Sequence, residues 1–207
     1  MDLTTLAAQI NQLDSQPPFD EWHPPFCGDI DMLIKADGSW HYMNSPIGRE
    51  RLVQLFARVL IKEDEQYFLK TPGEKVRIQV QDTPFIITQW QQHSTDQGTA
   101  IEVISNVGHS VLLSPQHPLM LDSGAGADAD TDATANTDVD TDAKTGAQNS
   151  SGSEHGLPYV VLHRGLTARV HRNVFYQWVE LGYSKWINNQ EHLVIASTGQ
   201  EFSLGTL

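Results

Sequence analysis

The sequence predicts an α+β protein in which one hairpin–helix–hairpin module occurs twice, and three observations carry that expectation. A hairpin, a helix and a second hairpin follow one another over residues 30–80 and again over 159–204. The turn glycines of the first hairpins, Gly38 and Gly165, lie 127 residues apart, and those of the second hairpins, Gly73 and Gly199, lie 126 apart. Helix residues Leu52, Phe56 and Val59 match Val174, Trp178 and Leu181 at a constant offset of 122. Two units make a duplication rather than a solenoid array. Chance recurrence of a common element order is the alternative; the near-constant offsets favour duplication.

Leu3, Leu6, Ile10 and Leu13 fall on one face of a short N-terminal helix that Asp2 can cap. Pro17-Pro18 stops it, Pro24-Pro25 keeps the next stretch extended, and Phe19, Trp22 and Phe26 are expected to pin that stretch to the body. Ile30–Ile34 and Trp40–Met43 read as strands about an Asp37-Gly38 turn. Ser45-Pro46 then reads as a helix start, with Ser at the cap and Pro in the first turn. Leu52, Leu55, Phe56, Val59 and Leu60 form its apolar stripe, and Lys62–Asp64 end it. Tyr67–Lys70 and Val76–Val80 make the second hairpin, turning at Pro72-Gly73.

In the second copy, Tyr159–Leu162 and Leu166–Val170 flank Arg164-Gly165. Asn173 is the expected cap of a helix carrying Val174, Phe175, Trp178, Val179 and Leu181, which Gly182 ends. Leu193–Ala196 and Phe202–Leu204 close the chain about Thr198-Gly199. Phe85–Trp90, Ala100–Ser105 and Ser110–Ser114 lie between the copies and are expected to enlarge the second into an antiparallel sheet or partial barrel. The expected division is an arm over 1–24, a first module over 25–82 and a second over 83–207, interrupted by an acidic insert at 122–156.

The insert is almost entirely Asp, Ala, Thr, Gly, Ser and Asn, a composition too poor in apolar groups to offset ordering entropy. It accounts for −7 of the chain's net charge of −13, leaving an ordinary −6 for the remainder. Asp128, Asp130 and Asp132, and again Asp138, Asp140 and Asp142, have the opening spacing of a calcium loop. The sixth position is then Ala133 or Ala143 rather than Gly, and the twelfth Val139 or Asn149 rather than Glu. A solvated linker is the expected reading and a calcium-responsive segment the alternative.

An acidic chain argues against nucleic acid and against an anionic membrane surface. No apolar run is long enough to span a bilayer and no signal peptide is visible, so a cytoplasmic protein is expected. Cys27 is the single cysteine, which leaves no disulfide framework. As a nucleophile it would need a base and an oxyanion site, so a small packed thiol is the plainer reading. Asp29 and Asp31, two apart on a strand, point to one face and can act as paired carboxylates or pair with Arg49 and Lys75. His155, His163 and His171 lack metal-ligand spacing, so no metal or cofactor is expected. Ser45–Arg49 can hold an anion through helix N–H groups, the open backbone at Gly48 and the Arg49 charge, or can simply be a capped helix start.

Pro25-Phe26-Cys27-Gly28-Asp29-Ile30-Asp31-Met32, Asp37-Gly38-Ser39-Trp40, Ser45-Pro46-Ile47-Gly48-Arg49 and Leu52-Val53-Gln54-Leu55-Phe56 together resemble the bacterial DUF1285 family of unknown function. Thr71-Pro72-Gly73-Glu74-Lys75-Val76 and Asp82-Thr83-Pro84-Phe85 extend the likeness, which thins through His117-Pro118-Leu119 and Tyr159–Leu181. The resemblance implies a duplicated α+β fold, a second domain superficially like pleckstrin-homology barrels, and a ligand or partner site between the domains with a link to signalling. It brings no reaction. Carried onto this chain, it implies interdomain roles for Asp29, Asp31, Trp40, Ser45, Arg49, Thr71, Glu74 and Lys75. Gly73 departs from the apolar residue expected there, and the acidic insert lies outside the family pattern.

The expectation is therefore a non-enzymatic binding module whose interdomain cleft takes a small anion or a protein segment. Arg49 and Lys75 would supply charge and Trp40 an apolar wall. The alternatives are a calcium response through the insert and a hydrolase using Cys27 or Asp29 and Asp31.

Overall fold

The computed structural model describes residues 3–11, 13, 18–96, 98–121 and 158–207. It is mostly β with few helices and has two domains of repeated architecture. The acidic insert and its Asp-x-Asp-x-Asp runs lie outside the described residues, as does Asp2.

The first domain contains α1 (Leu3–Asn11), β1 (Phe26–Ile34), β2 (Trp40–Tyr42), β3 (Ser45–Pro46), α2 (Glu50–Arg58), β4 (Leu60–Glu63), β5 (Gln66–Lys70) and β6 (Lys75–Val80). Its sheet runs β3-β2-β1-β6-β5-β4, antiparallel except where β6 lies parallel to β1. The second domain contains β7 (Phe85–Thr95), β8 (Gly98–Ser105), β9 (Ser110–Leu112), β10 (Leu119–Met120), β11 (Tyr159–Val161), β12 (Thr167–Val170), α3 (Arg172–Leu181), β13 (Tyr183–Ile187), β14 (Gln190–Ser197) and β15 (Gln200–Thr206). One sheet runs β10-β11-β12-β7-β8-β9, again with a single parallel pair, β12 and β7; β13-β14-β15 form a second sheet.

In both copies the helix is followed by a three-stranded antiparallel meander, β4–β5–β6 and β13–β14–β15. Sequence patterning showed only the last two strands of each. Helix α2 stops at Arg58, and buried Leu60 and Ile61 already belong to β4. Their spacing continues the helical stripe, so periodicity alone does not separate strand from helix. Two further readings change. Ser45-Pro46 is strand β3, paired with His41 and Tyr42, rather than the start of α2, which begins after Arg49. Helix α3 is capped by His171, whose Nδ1 accepts from the Asn173 N–H at 3.3 Å, rather than by Asn173.

The copies differ in which hairpin strand takes a parallel partner. In the first domain the meander returns through β6 to pair with β1, the first strand of the hairpin; in the second, β7 pairs with β12, the second strand, and the meander packs as a separate layer. Buried Ser197 fastens that layer. Its Oγ accepts from the Ile101 N–H at 2.9 Å and donates to the Leu113 carbonyl at 2.7 Å. Trp178 of α3 is fully buried edge-on to Trp90, whose Nε1 donates to Gln177. Strands β10 and β11, on either side of the insert, pair directly through Leu119 with Val160 and Met120 with Tyr159. One core cluster runs through both domains, from Leu6 and Phe56 to Phe85, Trp178 and Leu204.

Candidate functional site

The two domains meet through their equivalent hairpin turns. The Asp37-Gly38 turn between β1 and β2 reaches the second domain, where Asn106 Nδ2 donates to the Gly38 carbonyl at 3.3 Å. Asn106 is fixed in turn because its Oδ1 accepts from the Ile86 N–H at 3.1 Å. The Arg164-Gly165 turn reaches the first domain. There the Arg164 carbonyl accepts from the Lys62 N–H, and its guanidinium donates to the Arg58 carbonyl at 2.6 Å and lies 4.4 Å from the Phe19 ring centroid. Arg169 adds an ion pair with Asp82 and a bond to the Ala36 carbonyl.

A pocket of about 190 Å³ opens beside the first of these contacts. The first domain supplies Ser39 and Trp40 from the hairpin, Ile47 from the loop before α2, and Glu50 and Val53 from α2; the second supplies Asn106 and Val107. Asp37 stabilises the hairpin by accepting from the N–H and Oγ of Ser39 at 2.9 and 2.6 Å, bonds that hold its carboxyl below the usual range. Trp40 is 2% exposed, and its Nε1 has no hydrogen-bond partner among the described residues. An indole N–H buried without a partner costs about 1–3 kcal/mol. Glu50 is the single charged residue among those lining the pocket.

Of the eight interdomain residues implied by the family resemblance, only Trp40 lines this pocket. Asp29 sits opposite Arg77 across β1 and β6 and accepts two bonds from its guanidinium, 2.8 and 2.7 Å long, which hold its carboxyl below the usual range. Its partner is thus Arg77, not Arg49 or Lys75. Asp31 is exposed on β1. Lys75 pairs with Glu63 at 2.8 Å and lies 4.8 Å from the Phe68 ring centroid. Thr71 and Glu74 close the turn before β6 through a 2.9 Å backbone bond, and the Glu74 N–H reaches the Thr71 hydroxyl at 3.2 Å. Ser45 is exposed on β3, and Arg49 lines a different depression, between α1 and α2. Cys27 is exposed, with its thiol 3.4 Å from the Pro25 carbonyl.

Two groupings escaped the sequence. Asn106 and Val107 carried only a turn signal, and nothing local in the sequence joins them to Trp40. His109, His117 and His163 also converge, with ring centroids 6.2 and 6.0 Å apart along the chain of three. Burial, followed by the charge of Arg164 and then His163, lowers the His109 pKa to about 4. No group of three or more His, Cys, Asp and Glu residues among the described residues is arranged to hold a metal ion.

Comparison with known proteins places the chain among proteins of unknown function. It matches the "Domain of unknown function (DUF1285), N-terminal domain" over residues 17–83 and the "Protein of unknown function (DUF1285), C-terminal domain" over 125–204. A crystal structure of a DUF1285 family protein from Silicibacter pomeroyi DSS-3 is similar with a TM-score of 0.73 and 29% identity, over 98% of this chain and 95% of that one. Another, from Shewanella baltica OS155, has a TM-score of 0.48 and 23% identity, over 73% of this chain and 91% of that one. No curated protein matches.

Proposed function

This chain belongs to the DUF1285 family, and we propose that it is a binding module whose interdomain pocket takes a small hydrogen-bond acceptor, either a free molecule or a group on a protein segment. The observation carrying this reading is Trp40: a buried indole N–H without a partner among the described residues, beside a pocket shared by both domains. A ligand acceptor reaching that N–H would remove the cost of leaving it unpaired and gain affinity for the same reason. At about 190 Å³ the pocket is smaller than a drug-sized site, which favours a compact group. Glu50 as the sole lining charge favours a neutral acceptor over the anion expected from Arg49 and Lys75.

Both domains contribute walls, so ligand binding would favour one relative domain arrangement. That coupling supports a role in signalling rather than turnover. The superficial pleckstrin-homology likeness of the second domain belongs to the same proposal, as a scaffold that presents Asn106 to the first domain. No helix among the described residues is long and apolar enough to cross a membrane; a cytoplasmic location remains part of the proposal.

A thermal-shift screen against small amides, lactams and carboxamides tests it. A molecule at about 100 times its Kd stabilises the fold by about 2.7 kcal/mol. The hit should disappear in Val53→Phe, which fills the pocket while the protein remains folded. A shift of equal size in wild type and Val53→Phe would place the site elsewhere.

A further inference from the structure

We infer that the groove between α1 and α2 is a docking site for an acidic amphipathic segment of another protein. Ala7 and Ala8 from α1 and the half-buried Leu52 and Leu55 from α2 form its floor, and Arg49 and Arg51 stand beside it, both exposed. The depression is about 420 Å³ and opens along the two helices. It lies on a different part of α2 from the Trp40 pocket, which takes Glu50, Val53 and Gln54 from that helix.

Charge identifies the occupant. Much of the basic charge in the described body is already partnered: Lys62 by Glu65, Lys70 and Lys75 by Glu63, Arg77 by Asp29, Arg169 by Asp82 and Lys185 by Glu201. Arg49 and Arg51 pair with no described residue, although the chain carries a net charge of −13. They also lie at the α2 N-terminus, where Arg49 is the N-cap and makes no capping bond through its side chain. The helix dipole adds to the positive potential at that end, and the one carboxylate of the first turn, Glu50, lines the Trp40 pocket rather than the groove. An apolar floor with a cationic border complements a segment that alternates apolar anchors with carboxylates, seated as a helix in a groove.

Other occupants match less of this surface. A small anion would leave the alanine and leucine floor wet. The chain's own acidic residues 122–156 include Val139 as their sole aliphatic side chain larger than Ala, so they bring charge without anchors. An anionic lipid surface, unlike a single helix seated in the groove, would also face the acidic remainder of the molecule and be repelled by it.

The test is fluorescence anisotropy with the full chain and a fluorescein-labelled helical peptide carrying Leu at heptad positions a and d and Glu at the exposed positions. A twin with Lys in place of Glu is the control. Binding of the Glu peptide should exceed that of the Lys twin by about tenfold or more, and Arg49→Glu with Arg51→Glu should remove that preference. Arg49→Lys with Arg51→Lys should keep most of it, which separates charge from fold; circular dichroism of each variant checks the fold. Equal binding of the two peptides, no binding of the Glu peptide up to about 1 mM, or undiminished binding by the double Glu variant would each overturn the proposal. So would binding to phosphatidylglycerol vesicles in place of the peptide, or a dimer of the free chain that the double Glu variant dissolves.

Discussion

Gly38 and Gly165 occupy equivalent turns of the two copies, and each presses against the opposite domain. Both have left-handed backbone, with φ of 79° and 70°. A Cβ on Gly38 would lie 2.7 Å from Asn106 Nδ2, and one on Gly165 would lie 3.1 Å from the Lys62 carbonyl oxygen. The duplication thus makes the domain interface reciprocal, with each copy inserting its first turn into the other. Alanine at either site costs about 1–2 kcal/mol in backbone strain alone. At Gly165 the obstructing atom is backbone, so Gly165→Ala should lose about 2–3 kcal/mol. At Gly38 the nearest obstruction is the Asn106 amide, which can swing aside by giving up its 3.3 Å bond to the Gly38 carbonyl while keeping the one to Ile86, so Gly38→Ala should lose about 1–2 kcal/mol. Urea unfolding of both variants checks the order, and a smaller loss at Gly165 would contradict it.

Three two-residue hairpin turns use left-handed residues that are not glycine: Met43-Asn44, Asp64-Glu65 and Asn188-Asn189. Met43 is 65% exposed at φ 50°, where a side chain brings strain and little packing. Met43→Gly should therefore stabilise the protein by about 1 kcal/mol and raise Tm by about 2–4 °C. A lower Tm in calorimetry would show that Met43 packs usefully where it is.

These turns also explain what the sequence concealed. The helices, the outer hairpins and the duplication were legible because Asp37-Gly38, Arg164-Gly165 and the stripe Leu52–Leu55–Phe56 follow local rules. Strands β4 and β13 were not, since each enters its hairpin through a pair lacking the usual glycine. Each also follows its helix almost immediately, after Arg58 and after Gly182. Trp40 could be picked out as an interdomain aromatic from family resemblance. Its neighbours Asn106 and Val107 depend on how two domains dock, and no spacing in the chain encodes that. Asp29 illustrates the opposite limit: its place on a strand face was readable, but its partner Arg77 required the parallel pairing of β1 with β6.

Ser197 joins the two layers of the second domain through both of its hydroxyl bonds. Ser197→Ala leaves the Ile101 N–H and Leu113 carbonyl without that bridge and should cost about 2 kcal/mol. Ser197→Thr, which keeps the hydroxyl, should lose less if the added methyl is accommodated. Equal stability of wild type and the Ala variant in urea would remove Ser197 as the fastener.

His109 gives the fold an acid limb. Its folded pKa, about 4, lies below the usual 6.5, so the unfolded chain binds its proton first. No stability is lost through this group well above pH 6.5; the loss grows as pH falls from 6.5 toward 4. Between pH 7.5 and pH 5 it amounts to about 2 kcal/mol. His109→Phe should flatten that part of the stability curve relative to wild type, whereas parallel curves would assign the acid limb to other groups.

The most direct test of the binding proposal is the indole N–H spectrum of the ¹⁵N-labelled protein, which has five tryptophans. Trp40→Phe assigns the Trp40 resonance, and the molecule found in the thermal-shift screen is then titrated into wild type. The Trp40 N–H, which has no partner among the described residues, should move downfield as it acquires an acceptor, with saturation at the same Kd as the thermal shift. A Trp40 resonance that stays fixed while another indole moves, or while none moves, would contradict the claim that Trp40 and the interdomain pocket receive the ligand.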